Sequence, residues 1–244
     1  MDGLAAAQAK KTGSPLAILG RDATIASRIS NIQGSSFELS QNGFAPLRLS
    51  TPLMGEHQVD NAALASLACL KLSRCWAGIS VETVRRGLEK TRWPGRMERI
   101  PLFPPVLLDG AHNPHGAEAL SRTLLTLWPG IRPVFVMAAM RDKDITEMLK
   151  ALSRAHGQLF CPEIKGLERC ETAPRLAARA LELPWPGPVK VFPDSREALL
   201  EAMKSGWGCR PADLIALIGA GIGPCCYQVG QEVYRAFPGE RHEG

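Results

Sequence analysis

Asp109 and His112 are the residues of this chain whose types and spacing most directly suggest chemistry. They stand in Val106-Leu107-Leu108-Asp109-Gly110-Ala111-His112-Asn113-Pro114. An apolar run ends on an acid, a polar turn follows, and a proline sits where a helix can begin. That is a strand feeding a helix, the position at which open α/β sheets bind nucleotides. A carboxylate at a strand end can accept hydrogen bonds from ribose hydroxyls. It can equally hold the following turn. His112 can act as a base, a phosphate donor or a stacking group, or be a structural histidine.

Two further residues extend the pattern. Asn61 opens an Ala-rich helical stretch, within Gly55-Glu56-His57-Gln58-Val59-Asp60-Asn61-Ala62. Its carboxamide offers one donor and one acceptor, which matches the edge of adenine, or it is a polar helix-start residue. Arg96, in Trp93-Pro94-Gly95-Arg96-Met97-Glu98, carries a guanidinium suited to clamping phosphate; a surface arginine is the alternative. Singly these are weak signals. Together, spaced across a Pro-Gly break, they suggest a nucleotide held between two domains.

The elements that must position these residues change character along the chain. Residues 15–53 read as short strands with hairpins: Pro15–Leu19, Ser36–Leu39, and Phe44–Leu49 after a Gln41-Asn42-Gly43 turn. Residues 57–74 read as a helix, with Val59, Ala62, Ala63, Leu67 and Leu70 on its apolar face. Ser80 is placed to cap a helix running from Thr83 to Thr91. Pro94-Gly95 marks a domain boundary. Beyond it, strands expected at 96–101, 105–109, 133–138, 158–162, 189–192 and 213–218 alternate with helices near 114–127, 144–155, 173–182, 194–204 and 225–237. Short apolar strands separated by helices imply a parallel sheet covered on both faces.

Composition narrows the function classes. Hydrophobic residues make up 45% and charged residues 22% of 244 residues, ordinary for a globular chain that buries a sizeable core. The net charge of +5 suits an anionic small ligand and is too weak and dispersed to argue for nucleic acid. Seven cysteines form no CxxC pair and are odd in number, which argues against a zinc site or a disulfide framework and for reduced thiols in the cytoplasm. No apolar run is long enough to span a bilayer, and residues 1–12 do not read as a secretory signal.

The three segments, in this order, resemble the folylpolyglutamate synthase/dihydrofolate synthase family, a branch of the Mur ligases. That family carries a GEHQ…NA segment, then WPGR followed by an acid, then LDGAHNP. Arg141-Asp142-Lys143-Asp144-Ile145 resembles its DKD segment, and Pro193 to Met203 its late helix. The likeness covers roughly residues 15–205. It implies a Rossmann-like, mostly parallel α/β sheet, the Mur ligase C-terminal domain, over 95–244. A partial α+β remnant of the central, ATP-binding domain would precede it over 1–94. It also implies that Asn61 contacts the adenine of ATP, Arg96 the phosphates and Asp109 the ribose, with His112 in the same site. The family activates a carboxylate as an acyl phosphate with ATP and Mg, and the amine of L-glutamate then attacks. Folate or dihydropteroate would be the acceptor.

The chain departs from that pattern in two ways. It contains no GxxxxGK[ST] phosphate loop, and no segments match the family's magnesium ligands. The resemblance therefore implies a C-terminal portion that is inactive alone. Second, residues 209–237, including Gly223-Pro224-Cys225-Cys226-Tyr227, resemble the laccase-like polyphenol oxidases, also described as purine nucleoside phosphorylases. That family's metal-binding segments have no match here, so Cys225 and Cys226 are not read as metal ligands. A non-catalytic binding or assembly module and a laccase-like fragment are the alternatives to the ligase reading.

Overall fold

The computed structural model describes residues 2–42, 45–100, 102, 105–205 and 215–220. The chain divides into two compact units, the first ending at Arg92 and the second beginning at Trp93.

The first unit opens with helix α1 (Asp2–Thr12), followed by strands β1 (Ala23–Asn31), β2 (Gly34–Gln41) and β3 (Leu47–Thr51), then helices α2 (Glu56–Leu72) and α3 (Val81–Glu89). The strands form an antiparallel sheet in the order β1-β2-β3. The pairs Phe37↔Leu49 and Leu39↔Leu47 put four apolar side chains on one face. Helix α2 lays Val59, Ala62, Ala63, Leu67 and Leu70 against them, the face its 3.6-residue periodicity predicts. Ser80 caps α3 as expected: its Oγ accepts from the Thr83 N–H at 3.1 Å, and Thr83 Oγ1 accepts from the Ser80 N–H at 2.7 Å.

One expectation for this unit fails, and one strand was not expected. Pro15–Leu19 is not a strand; only Leu19 makes an isolated bridge, to Ala23. The edge strand is β1 instead. Its register shifts between Ala26 and Ile29, where Ser27 takes a φ of 50°. That bulge breaks the two-residue alternation that would have announced it.

The second unit contains β4 (Glu98–Ile100), β5 (Val106–Asp109), α4 (Pro114–Leu127), β6 (Val134–Ala139), α5 (Ile145–Ser153), β7 (Gln158–Pro162), α6 (Ala173–Leu181), β8 (Val189–Phe192), α7 (Ser195–Ser205) and β9 (Ile215–Ala220). The sheet order is β4-β5-β9-β6-β7-β8. Five strands are parallel, and β4 is an antiparallel edge paired with β5. This is the expected Rossmann-like, mostly parallel sheet.

Crossover handedness distributes the helices. The connections through α4, α5 and α6 step in one direction across the sheet, and α7 steps back to insert β9 between β5 and β6. Right-handed crossovers then put α7 on the face opposite the other three. The packing agrees. Val106, Leu108, Val134, Val136, Ala138 and Phe160 share one core with Ala198, Leu199, Ala202 and Met203 of α7. By alternation, Leu107, Phe135, Met137 and Leu159, all fully buried, turn to the other face, where α4, α5 and α6 lie side by side. The helix expected at 225–237 lies outside the described residues.

Candidate nucleotide site at the end of strand β5

The site begins with a strand too apolar to stop anywhere but at its acid. All four residues of β5 are buried, and Asp109, its last, is 8% exposed. A buried carboxylate must be satisfied, and backbone amides do it here. One oxygen accepts from the Ala111 N–H at 2.8 Å, the local turn expected of an aspartate two residues before its donor. The other accepts from the Met97 N–H at 2.9 Å, twelve residues back in sequence. Asp109 therefore ties the Gly110–Asn113 turn to the Trp93–Glu98 loop.

That loop is held at several further points. The Gly110 N–H donates to the Gly95 carbonyl at 2.7 Å, and the Gly95 N–H donates to Glu98 Oε2 at 2.8 Å. Gly95 has φ 69°, where a side chain is strained. Met97 sits at φ 49°, and its side chain, 2% exposed, is anchored in the core. A non-glycine residue with positive φ persists only where its surroundings over-determine it, and loops of this kind cluster at functional sites. Arg96 stands between these two fixed residues. Its guanidinium carbon lies 5.9 Å from the centroid of the Trp93 ring.

The turn after β5 presents His112. Its Nδ1 lies 3.0 Å from the Gly110 carbonyl oxygen. A carbonyl only accepts, so Nδ1 carries the proton and Nε2 is left to act as an acceptor, or as a donor when protonated. Asn113 ends the turn and caps α4, its Oδ1 accepting from the Gly116 N–H at 2.8 Å, with Pro114 in the first helical turn. Burial pushes the Asp109 carboxyl up to about 6. The Met97 and Ala111 amides, then the charges of Arg96 and His112, pull against that rise. The charges of a guanidinium and an imidazole thus bear on one carboxylate at the C-terminal end of a parallel strand.

Sequence reasoning brought Arg96, Asp109 and His112 forward, and the fold gathers all three in the second unit. It missed what connects them. The link from Met97 to Asp109 is a backbone contact between segments, and no residue type announces it. Asn61 belongs to the first unit. It is exposed on α2, its Nδ2 donating to Gln58 Oε1 at 3.2 Å. A concavity of about 290 Å³ in that unit, lined by Asn31, Ser35, Ser36, Thr51 and Glu89 among others, contains none of the four candidates.

The segment Arg141–Asp144 follows β6 at the same edge of the sheet. Arg141 Nε donates to the Cys170 carbonyl at 2.9 Å, Arg169 and Lys143 both pair with Asp142, and Asp144 caps α5. Among the described residues, no group of three His, Cys, Asp or Glu side chains could hold a metal ion, and no helix is long and apolar enough to cross a membrane.

Residues 95–221 match the family model for the Mur ligase, glutamate ligase domain. A dihydrofolate synthase/folylpolyglutamate synthase of Bacillus subtilis is 42% identical over 118 residues, covering 48% of this chain and 27% of its own length. The structure of Mycobacterium tuberculosis folylpolyglutamate synthase complexed with ADP superposes with a TM-score of 0.78 at 25% identity, covering 97% of this chain and 52% of that one. The structure of a bifunctional folylpolyglutamate synthase/dihydrofolate synthase with Mn, AMPPNP and L-glutamate bound gives 0.72 at 25% identity, covering 93% and 50%. The chain thus spans about half the length of these solved relatives, and less of the Bacillus one.

The comparisons give no support to the laccase-like resemblance of residues 209–237. The Mur ligase match runs through residue 221, and β9 within it is an interior strand of the same parallel sheet. Cys225 and Cys226 lie outside the described residues. With more than half of its residues matched by the family model and its sheet completed inside that match, the chain belongs to the Mur ligase family and carries that family's glutamate ligase domain.

Proposed function

We propose that the chain is the C-terminal portion of an ATP-dependent folate–glutamate ligase, a dihydrofolate/folylpolyglutamate synthase. One observation carries this reading. Asp109 binds the Trp93–Glu98 loop and the Gly110–Asn113 turn at once, so that Arg96 and His112 act on one carboxylate at the end of β5. This donor set fits a nucleotide. Arg96 offers a planar fork for phosphate oxygens. Each carboxylate oxygen of Asp109 can accept more than one hydrogen bond, which suits ribose hydroxyls. His112 Nε2 offers a further polar contact. Asn61 of the first unit is proposed as the adenine contact. In this reading residues 1–94 are a remnant of the central, ATP-binding domain and 95–244 the C-terminal domain.

The reaction class is carboxylate–amine ligation: a folate or dihydropteroate carboxyl is activated as an acyl phosphate and captured by the amine of L-glutamate. ADP, AMPPNP, Mn and L-glutamate bound to the relatives support ATP and a divalent metal such as Mg as its requirements. Among the described residues no group of three His, Cys, Asp or Glu side chains could hold that metal. The sequence also contains no GxxxxGK[ST] loop to wrap the terminal phosphates, so ligation by these 244 residues alone is not expected. A cytoplasmic location agrees with seven cysteines that form no CxxC pair.

Calorimetric titration of the full chain with ADP tests the reading. Binding should occur and should weaken about tenfold or more in Arg96→Ala, the loss of a charge-assisted contact to phosphate. Absence of binding, or binding indifferent to Arg96→Ala and Asp109→Ala, would favour a non-catalytic assembly module instead. Folylglutamate formed from ATP by the chain alone would overturn the inactivity.

A further inference from the structure

Trp93 is a large aromatic left 57% exposed in a loop otherwise tightly held. Burial does not explain it, since most of its ring faces water. The ring does lie beside a charge: the Arg96 guanidinium carbon is 5.9 Å from its centroid, within the range at which a cation is attracted to an aromatic face. The Arg96 N–H also donates to the Trp93 carbonyl at 3.2 Å, closing a turn that returns the chain over the ring. The backbone on either side of Arg96 is fixed at Gly95 and Met97, so the side chain's rotamers are the freedom that remains. An arginine loses considerable rotamer entropy when it engages a ligand. A ring that already holds the guanidinium removes part of that loss before the ligand arrives.

We propose that Trp93 is a positioning residue for Arg96, holding its guanidinium pre-oriented for the phosphate groups of a nucleotide. The proposal rests on the phosphate-binding reading of Arg96 given above. It assigns Trp93 no contact with the base or the sugar. Its effect is therefore confined to phosphorylated ligands and passes entirely through Arg96.

The test uses the full chain, with ADP and adenosine as separate probes, and the variants Trp93→Leu, Trp93→Phe, Arg96→Gln and the Trp93→Leu/Arg96→Gln double variant. Trp93→Leu should weaken ADP binding about two- to fivefold, the worth of an exposed cation–aromatic contact, and leave adenosine binding unchanged. Trp93→Phe should recover most of the loss, and Trp93→Leu should add nothing in the Arg96→Gln background. Equal weakening of ADP and adenosine, or additive losses in the double variant, would overturn the proposal. Arg96→Gln weakening ADP while Trp93→Leu does not would sink this inference and leave the phosphate reading of Arg96 standing. ADP binding indifferent to Arg96→Gln, or no ADP binding at all, would sink both. A second measurement needs no nucleotide. The Arg96 side-chain proton resonances should shift upfield under the Trp93 ring current and return to ordinary values in Trp93→Leu; unshifted resonances in the unsubstituted chain overturn the proposal by themselves.

Discussion

Asp109→Asn should change how the second unit's stability depends on pH, in a direction opposite to that of most paired carboxylates. Burial lifts the Asp109 carboxyl from 3.8 to about 6 in the folded chain. Folding therefore penalises its charged form, by about 3 kcal/mol at most. The penalty is fully present above the folded value. It fades as pH falls from 6 towards 3.8, where the folded chain binds the proton that the unfolded chain has released. Between pH 7.5 and pH 5 the relief amounts to about 1.4 kcal/mol by linkage. The carboxamide introduced by Asp109→Asn would not titrate. It would keep one acceptor for the Met97 and Ala111 amides and turn an NH₂ towards the other, a cost that is the same at both pH values and cancels in the comparison.

The assay is urea unfolding at the two pH values, followed by tryptophan fluorescence in a Trp76→Phe background. Trp76 is the only tryptophan before residue 93, so the signal then reports the second unit. The stability difference between the parent and the Asp109→Asn variant should move by about 1.4 kcal/mol in favour of the parent on going to pH 5. Parallel pH dependences in the two chains would refute the burial argument. A movement of opposite sign would mean that the amides and Arg96 outweigh burial.

Other outcomes follow from the packing. Gly34→Ala should unfold the first unit or cost it several kcal/mol, because Gly34 has φ 136° and a Cβ there would collide with the Thr51 carbonyl and Pro52; a urea midpoint within error of the parent would contradict this. Phe160→Ala removes a fully buried ring that packs 4.9 Å from Phe192 and should cost about 3–5 kcal/mol, read by thermal or urea unfolding. Burial pushes the Cys161 thiol up to about 12, so iodoacetamide should label exposed Cys75 in the native chain and reach Cys161 only after urea, as peptide mass spectrometry would show.

The parts of the fold legible in the sequence are those written in local periodicity. Helix α2 could be read because alanines and leucines recur on one face for seventeen residues. Strands β6 and β7 could be read because apolar runs end at turn residues. Strand β1 could not, since the bulge at Ser27 scrambles its alternation. Strand order was hidden for a different reason. The insertion of β9 between β5 and β6 is a pairing of segments far apart in the chain, and no periodicity encodes it. The candidate site divides in the same way. The strand-end acid and its turn are visible in a nine-residue window. The Met97–Asp109 tie, which sets where Arg96 stands, is a contact between windows.

The place of β9 also has a consequence for the order in which the unit can assemble. On the ribosome, β5 emerges early with only the three-residue β4 beside it, and its parallel neighbour is the last described strand to be made. Until then β5 and β6 lack the strand that pairs with both. Long-range parallel pairing of this kind slows folding and leaves strand edges open to wrong partners. Asp109, the acid at the end of β5, thus acquires its parallel neighbour only once residues 215–220 have been made.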